Sequence, residues 1–498
     1  MMSEQRKIKV IPLVEAFRRQ VTSAENDRTA NCWSAVRYNA TNGWYVNTSN
    51  GNCNNNNSYN RYTLLPCPLA SAELLFSMLL EAEVSCFKNK HQSLTACRVH
   101  YHLSELYGYA RYIFENGLIV GRSKCFVLDY PILREIFCAF YFDRIMHHLI
   151  APLMTHVAEI MHRRSGGVSH GNRTGHSAFT AALAVQEALR KMTNNWTEKG
   201  WVATRDYSGF FMSISRSHAA SEFRKYSAQV VDITDHVTAF LMDVVCHYLM
   251  ADPTVGCVMM SPPSRMEMVP RNKSIRYSRP GFGMPIGNFP SQIIANLFRV
   301  GIDMCVTAME GVCHVVFVDD RMTCAKSQDV LKRALADTEK KSEEYGLITN
   351  SNKRYMQQAD KGVKFCGYVI KCDRIYISNR VVCAAHRLID EYALMTDDAS
   401  EAKLACRLNS YLGIMSHTRS YNIQKNIIDR TLPAHKTLCF VRKAGHFVCR
   451  QMTEHTAKFK AIQNIRQFKN ETHRLQARAC SKRVRRRSCR RMEINSNQ

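Results

Sequence analysis

The chain has 498 residues, 46% of them hydrophobic, and its 68 Lys and Arg against 42 Asp and Glu leave a formal charge of +26. That length admits two to four domains or one multi-lobed enzyme, and the charge points to polyanionic partners. No apolar run reaches the roughly 18 residues of a spanning helix, and the opening MMSEQRKIKV lacks the apolar stretch of a signal peptide, so a soluble, intracellular chain with no membrane partner is expected.

The 20 cysteines include no C-x-x-C pair and sit in apolar phrases such as FCAFYF and KFCGY. Reduced core thiols are expected rather than disulfides or a zinc knuckle. Cys383 with His386 is the nearest ligand pair, and it has no second pair beside it.

In chain order, a short amphipathic pattern (VIPLVEAFRRQV) is followed by an asparagine-rich zone, in which 12 of the 35 residues from Asn26 to Asn60 are Asn. Read as protein, that zone is a polar arm, an aggregation-prone tract or part of a small lectin-like fold. Ordinary globular texture follows. Trp201–Arg205 reads as a strand that ends on Asp206. From Pro290 the apolar residues at 293, 294, 297 and 300 predict a helix, with Asn288 as its cap and Pro290 in its first turn.

HVVFV, DD and RMTCA read as a β-hairpin with Asp319 and Asp320 at or beside its turn. Ser327 to Tyr345 predicts a helix stopped by Gly346, and KFCGYVI with RIYIS predicts a second hairpin. Antiparallel strands with helices on one face make an α+β layer. The C-terminus is a basic arm, with nine Lys or Arg and no acid from Arg474 to Arg491.

The chemistry rests on carboxylates. Two adjacent aspartates in an apolar strand are costly without a cation. With Asp206 at the end of a neighbouring strand, their hard oxygens suit Mg²⁺, which binds one or two carboxylates plus substrate phosphates. Two such ions can activate an attacking 3′-oxygen and stabilise a pyrophosphate leaving group, so the inferred reaction is nucleotidyl transfer. An Asp-Asp pair alone is common in turns. Its companions in order raise its weight: DYSGFF (206–211), GMPIGNFPSQ (283–292), GLITNSNK (346–353) and FCGY (365–368).

With these motifs the chain resembles the reverse transcriptases of the retron and group II intron class. LREIFCAFYFDRIMHH and GNRTGH extend the likeness upstream and LNSYLGIMSH extends it downstream, over roughly residues 85 to 430. The resemblance implies an α+β right hand. Its parts would be an N-terminal arm (1–67), fingers (68–200), a palm (201–374, with an insertion at about 217–280), a helical thumb (375–445) and a basic tail (446–498).

It also implies roles. Asp206, Asp319 and Asp320 would be the catalytic carboxylates holding two Mg²⁺ ions, and Lys353 the general acid. Tyr207, Phe211, Arg134, Arg173, Gly287 and Gln292 would meet the nucleotide, with Phe211 as the gate that excludes a 2′-hydroxyl. Phe365, Cys366, Gly367 and Tyr368 would form the primer grip. The implied partners are template RNA, a primer or growing cDNA, dNTPs and a small basic accessory protein, in a cytoplasmic setting encoded by a bacterium or phage.

Ile286-Gly287-Asn288 followed by Ser291-Gln292 replaces the Gln-Gly of many relatives and resembles the enzymes of diversity-generating retroelements. An aliphatic side chain in place of an amide removes a hydrogen-bonding group beside the nascent pair, which implies lower fidelity. Asn codons are adenine-rich, so residues about 30 to 62 read as the translated edge of a template-like repeat. The competing readings are a retron or defence-associated enzyme of the same fold, a viral RNA polymerase, and a non-catalytic basic RNA-binding protein on this scaffold.

Overall fold

The computed structural model describes residues 64–452 except 89, 91, 92, 131, 436, 444 and 445, together with the backbone of 36–39 and 44–47. The latter are β1 (Val36–Asn39) and β2 (Trp44–Asn47), an antiparallel pair inside the asparagine-rich zone. The rest of that zone and the basic arm from 474 to 491 lie outside the described residues. The contacts divide the chain into two compact units, Met1–Cys366 and Gly367–Gln498.

In the first unit the described chain continues from residue 64 into helices α1 (Ala72–Phe87), α2 (Leu94–Tyr101) and α3 (Leu103–Asn116). Ser71 caps α1 by accepting from the Leu74 amide at 3.2 Å, satisfying one of the donors a helix start leaves open. The strands β3 (Ser123–Leu128) and β4 (Arg134–Ala139) pair antiparallel, and α4 (Tyr141–Arg164) follows. Helix α5 (Ala178–Met192) starts with a reciprocal Ser177–Thr180 capping box.

Next come β5 (Trp201–Arg205), α6 (Arg216–Ser227), α7 (His236–Met250) and β6 (Val258–Met259), which runs parallel to β3. The segment 217–280, expected as an insertion, supplies Phe223, Phe240 and Val244 to the same core as Ile145 of α4. It is part of the body rather than an appendage.

The predicted helix after Asn288 is two helices, α8 (Phe289–Phe298) and α9 (Val300–Thr307), with a break at Arg299. Asn288 stands at the expected cap position, but its side chain instead accepts from the Ala139 amide of β4 at 3.2 Å. The predicted hairpin is present as β7 (Val312–Phe317) and β8 (Asp320–Ala325), followed by α10 (Gln328–Glu344) and β9 (Tyr355–Gln358). Gly346 takes φ +74° just after α10, as expected of a helix stop.

These strands form one antiparallel sheet in the order β7-β8-β5-β9. Leu331 and Leu335 of α10 pack on Ala203 and Ala325 of that sheet, while α5 packs on β7 and β8. Strands with period-two alternation and helices with an apolar stripe bury each other's faces, which makes this an α+β layer.

The second unit pairs Tyr368–Ile370 with Ile375–Ile377, the hairpin read from KFCGYVI and RIYIS. Three helices follow, α11 (Asn379–Tyr392), α12 (Asp398–Met415) and α13 (Tyr421–Thr431). A further hairpin, Leu438–Lys443 with His446–Gln451, extends the fold into the expected tail. Asn409 of α12 ties it down by bonding both backbone groups of Cys449, at 2.8 and 2.7 Å.

Candidate active site

Strand β5 lies between β8 and β9, and its register pairs Arg205 with Arg321. Continuing that register by one residue sets Asp206 opposite Asp320. Phe317 pairs with Asp320, so Val318 and Asp319 form the two-residue turn of the β7–β8 hairpin. Val318 takes φ +58°, a left-handed conformation that a β-branched residue adopts only under constraint.

Asp206 is 6% exposed. Burial holds the Asp319 carboxyl above its usual range, and the charge of Asp206 and a hydrogen bond shared with it push the same way. The Cys366 thiol is raised first by burial and then by Asp320 and Asp319, which places it in the field of the same carboxylates.

The constraint on the turn comes from below. Arg299, at the break between α8 and α9, donates through Nη1 to the Val318 carbonyl and through Nη2 to Asp303 Oδ1 at 3.1 Å. Arg299 and Asp303 are each 1% exposed, so this pair must be satisfied internally. His314 Nε2 lies 3.7 Å from Asp303. From the other side Gly171 leaves no room: a Cβ there would stand 2.5 Å from Val318 Cγ2. The Gly171 carbonyl is held in turn by Asn296 Nδ2 at 2.5 Å. None of these second contacts was visible in the sequence motifs.

The loop before α8 is fastened to the β3–β4 hairpin. Phe137 N donates to the Ile286 carbonyl at 2.8 Å. Gly287 has φ +117°, and a Cβ on it would lie 2.6 Å from the Phe137 carbonyl. This glycine permits close backbone approach to β4. Phe211, half-buried, packs edge-on to Phe210 with centroids 5.5 Å apart, and its carbonyl accepts from the Met284 amide at 2.8 Å.

The geometry redirects two nucleotide-binding expectations. Tyr207 is 2% exposed, stacks on Phe210, hydrogen-bonds Ser342 at 2.8 Å and lies under the Arg321 guanidinium at 3.9 Å. Its ring belongs to the core beneath Asp206 and is not presented to a ligand. Arg173 forms a bidentate pair with Glu159 at 2.9 and 2.7 Å and donates to the Ser169 carbonyl. With those donors committed it positions the segment that carries Gly171. Arg173 and the exposed Gln292 do line one cavity of about 320 Å³, beside Phe317.

Arg134 is exposed at the start of β4, and Glu135 bonds Ser274, Ile275 and Arg276 instead of pairing with it. Lys353 closes a short 3₁₀ turn, and its side chain lies outside the described residues. In the expected primer grip Phe365 and Tyr368 are buried, 4% and 1% exposed, while Cys366 and Gly367 both take positive φ as a two-residue turn. His147 and His148 keep structural surroundings: the first is buried and the second bonds Ser85 at 3.0 Å.

The residues present fit a divalent cation. Two carboxylates forced together at a strand end, one of them raised by burial and then by the charge of the other, are relieved by a positive charge. Among the described residues no group of three or more His, Cys, Asp or Glu is placed to hold a metal ion. An open carboxylate set completed by water and substrate phosphate is the pattern of Mg²⁺ rather than of a structural metal.

Residues 133–370 match the family described as reverse transcriptase (RNA-dependent DNA polymerase). No curated protein matches the chain. Among solved structures, apo telomerase from Candida tropicalis lacking its C-terminal domain is 12% identical, with 52% of this chain and 55% of that one covered, at a TM-score of 0.39. A second structure of apo telomerase from that organism is 9% identical, covering 73% and 77%, at 0.39. Telomerase from Candida albicans in complex with a TWJ fragment of telomeric RNA is 10% identical, covering 63% and 60%, at 0.36. The chain thus spans about half the length of the first of these structures.

Proposed function

We propose, from the premise that residues 133–370 form a reverse transcriptase domain with the α+β fold of a right-hand polymerase, that the chain copies template RNA into DNA by nucleotidyl transfer from dNTPs. The observation that carries this is the half-buried Asp319 at a constrained hairpin turn, close enough to Asp206 for each carboxylate to feel the other's charge. Asp206, Asp319 and Asp320 would hold Mg²⁺, which when bound would supply charge for an in-line displacement at the primer 3′-oxygen.

The protein's own residues then have separable tasks. Arg299 and Gly171 hold the turn that aims Asp319. Phe211 stands under the sugar as the gate against a 2′-hydroxyl, and the Cys366–Gly367 turn supports the primer end. Arg134, exposed at the start of β4, meets the triphosphate, and Lys353 protonates the leaving group. Primer extension on an RNA template tests the reading, with Asp319→Ala and Asp206→Ala as controls that should abolish it.

A finer reading follows from Ile286, whose aliphatic side chain offers no hydrogen bond beside the loop that Gly287 seats on β4. We propose that synthesis is error-prone and serves a diversity-generating retroelement, with a small basic accessory protein as partner. Sequencing of the cDNA decides it. Errors concentrated opposite template adenines support the reading, and an even spectrum of errors overturns it.

A further inference from the structure

Between the start of α4, the end of α7 and the loop before α8 lies a cavity of about 410 Å³, within the size of small-ligand sites, about 300–1,000 Å³. None of Asp206, Asp319 or Asp320 lines it. Its apolar wall includes Val120, Ala139, Leu249, Met284 and Pro285, and its polar groups include Asp143, His147 and His247.

Those polar groups are the unusual part. Asp143 is 3% exposed, and its Oδ1 accepts from the Gly121 amide at 3.0 Å and the Tyr248 hydroxyl at 2.7 Å. His147 is 5% exposed, with its ring edge-on to Tyr248 at 4.9 Å, and no hydrogen bond joins it to another described residue. Burial, with the nearby His148 and Arg144, pushes it down to about 3, so it is neutral and offers one donor and one acceptor. His247 lies beside the Leu118 backbone, and its Nε2 is buried without a partner. Buried polar atoms left unmet carry a cost that a ligand would remove.

What is missing from the lining narrows the ligand. The chain carries 68 Lys and Arg, yet none lines this cavity, so it offers a phosphate no cation. Neutral imidazole donors and acceptors, with the carboxylates of Asp143 and Asp252 beside them, set in an aliphatic and aromatic wall complement a heterocycle, whose edge carries both donors and acceptors and whose face is apolar.

We propose that this cavity receives one unpaired nucleobase, with His147 and His247 reading its edge and the Leu249–Met284 wall lying against its face. This rests on the proposed handling of nucleic acid and adds a base-reading site apart from the carboxylates. The base could come from a template strand or from a free nucleoside, and the chemistry of recognition is the same.

The test uses the full chain without Mg²⁺ or dNTPs. Binding is measured to an RNA template with an annealed primer that fixes the register, in a series where each unpaired template position in turn is abasic. Free nucleosides are titrated in parallel. One abasic position should weaken binding about 5- to 100-fold, the scale of a lost stacked base, and the difference should vanish in Val120→Trp, which fills the cavity.

His247→Leu, which removes the acceptor at similar volume, serves as a second variant should Val120→Trp fail to fold by circular dichroism. A flat abasic series with nucleosides that bind wild type but not these variants supports the proposal with a free ligand. If no position costs more than twofold and no nucleoside binds, the proposal is overturned. Primer extension by the same preparation distinguishes that result from failure of the polymerase reading.

Discussion

Arg299 donates a hydrogen bond to the carbonyl of Val318, the residue immediately before Asp319 in the hairpin turn. The same guanidinium pairs with the buried Asp303, so one side chain links the body of the fold to the backbone that aims a candidate catalytic carboxylate.

Arg299→Met would leave Asp303 buried without this partner, at a cost of about 3–5 kcal/mol, whereas replacing both members of a buried pair by apolar residues is close to neutral. Chemical denaturation should therefore show a large loss in Arg299→Met and recovery of most of it in the double variant with Asp303→Leu. Primer-extension kcat should stay at least about 10-fold down in both. Recovery of rate together with stability would show that Arg299 serves only as a counter-ion.

Gly287→Ala would set a Cβ 2.6 Å from the Phe137 carbonyl at φ +117°. The strain should cost about 2 kcal/mol or more and loosen the loop from β4. A lowered urea midpoint with a raised KM for dNTP is expected. An alanine variant with unchanged midpoint and KM would mean that the loop does not depend on this close approach.

Phe211→Ala should admit ribonucleotides. The expected change is a fall of about 10-fold or more in the ratio of dNTP to rNTP kcat/KM, roughly 1.4 kcal/mol of lost discrimination. Competing incorporation assays measure it, and an unchanged ratio would assign the ring to packing against Phe210 alone.

Stability should fall on acidification. Burial holds His147 down to about 3 and His162 down to about 4, both below the ordinary 6.5. The unfolded chain therefore takes up protons that the fold refuses, and stability is lost as pH falls from 6.5 toward those values. Asp143 works oppositely: burial lifts it from 3.8 to about 6, so its contribution is present below 3.8 and lost as pH rises through 6. Among these three groups, two histidines against one aspartate leave one net proton near pH 5, a slope of about 1.4 kcal/mol per pH unit, and His170, also held down to about 4 by burial, adds to it in the same direction. Denaturation midpoints at pH 6 and pH 5 should differ in that direction, and a higher midpoint at pH 5 would contradict the burial argument.

Local patterns made much of this fold legible. HVVFV and RMTCA carry their own turn between them, WVATR ends on Asp206, and Ser327 and Gly346 bracket α10, because caps, turns and periodicity are written within a few residues. The break at Arg299 was hidden, since apolar positions at 293, 294, 297 and 300 run straight across it. The commitments of Arg173 to Glu159 and of Tyr207 to Ser342 span 14 and 135 residues. Only the tertiary fold decides whether such donors remain for a ligand. The place of His147 in a cavity with His247, from another helix, has no sequence signature.

The most direct measurement is single-nucleotide primer extension on an RNA template with dNTPs, titrated with Mg²⁺, for wild type, Asp319→Asn and Asp206→Asn. Metal-dependent DNA synthesis by wild type, reduced by about 10³-fold or more in either variant, the scale of lost transition-state charge stabilisation, is the predicted result. Extension by Asp319→Asn at the wild-type rate and with the wild-type Mg²⁺ dependence would contradict the assignment of these carboxylates.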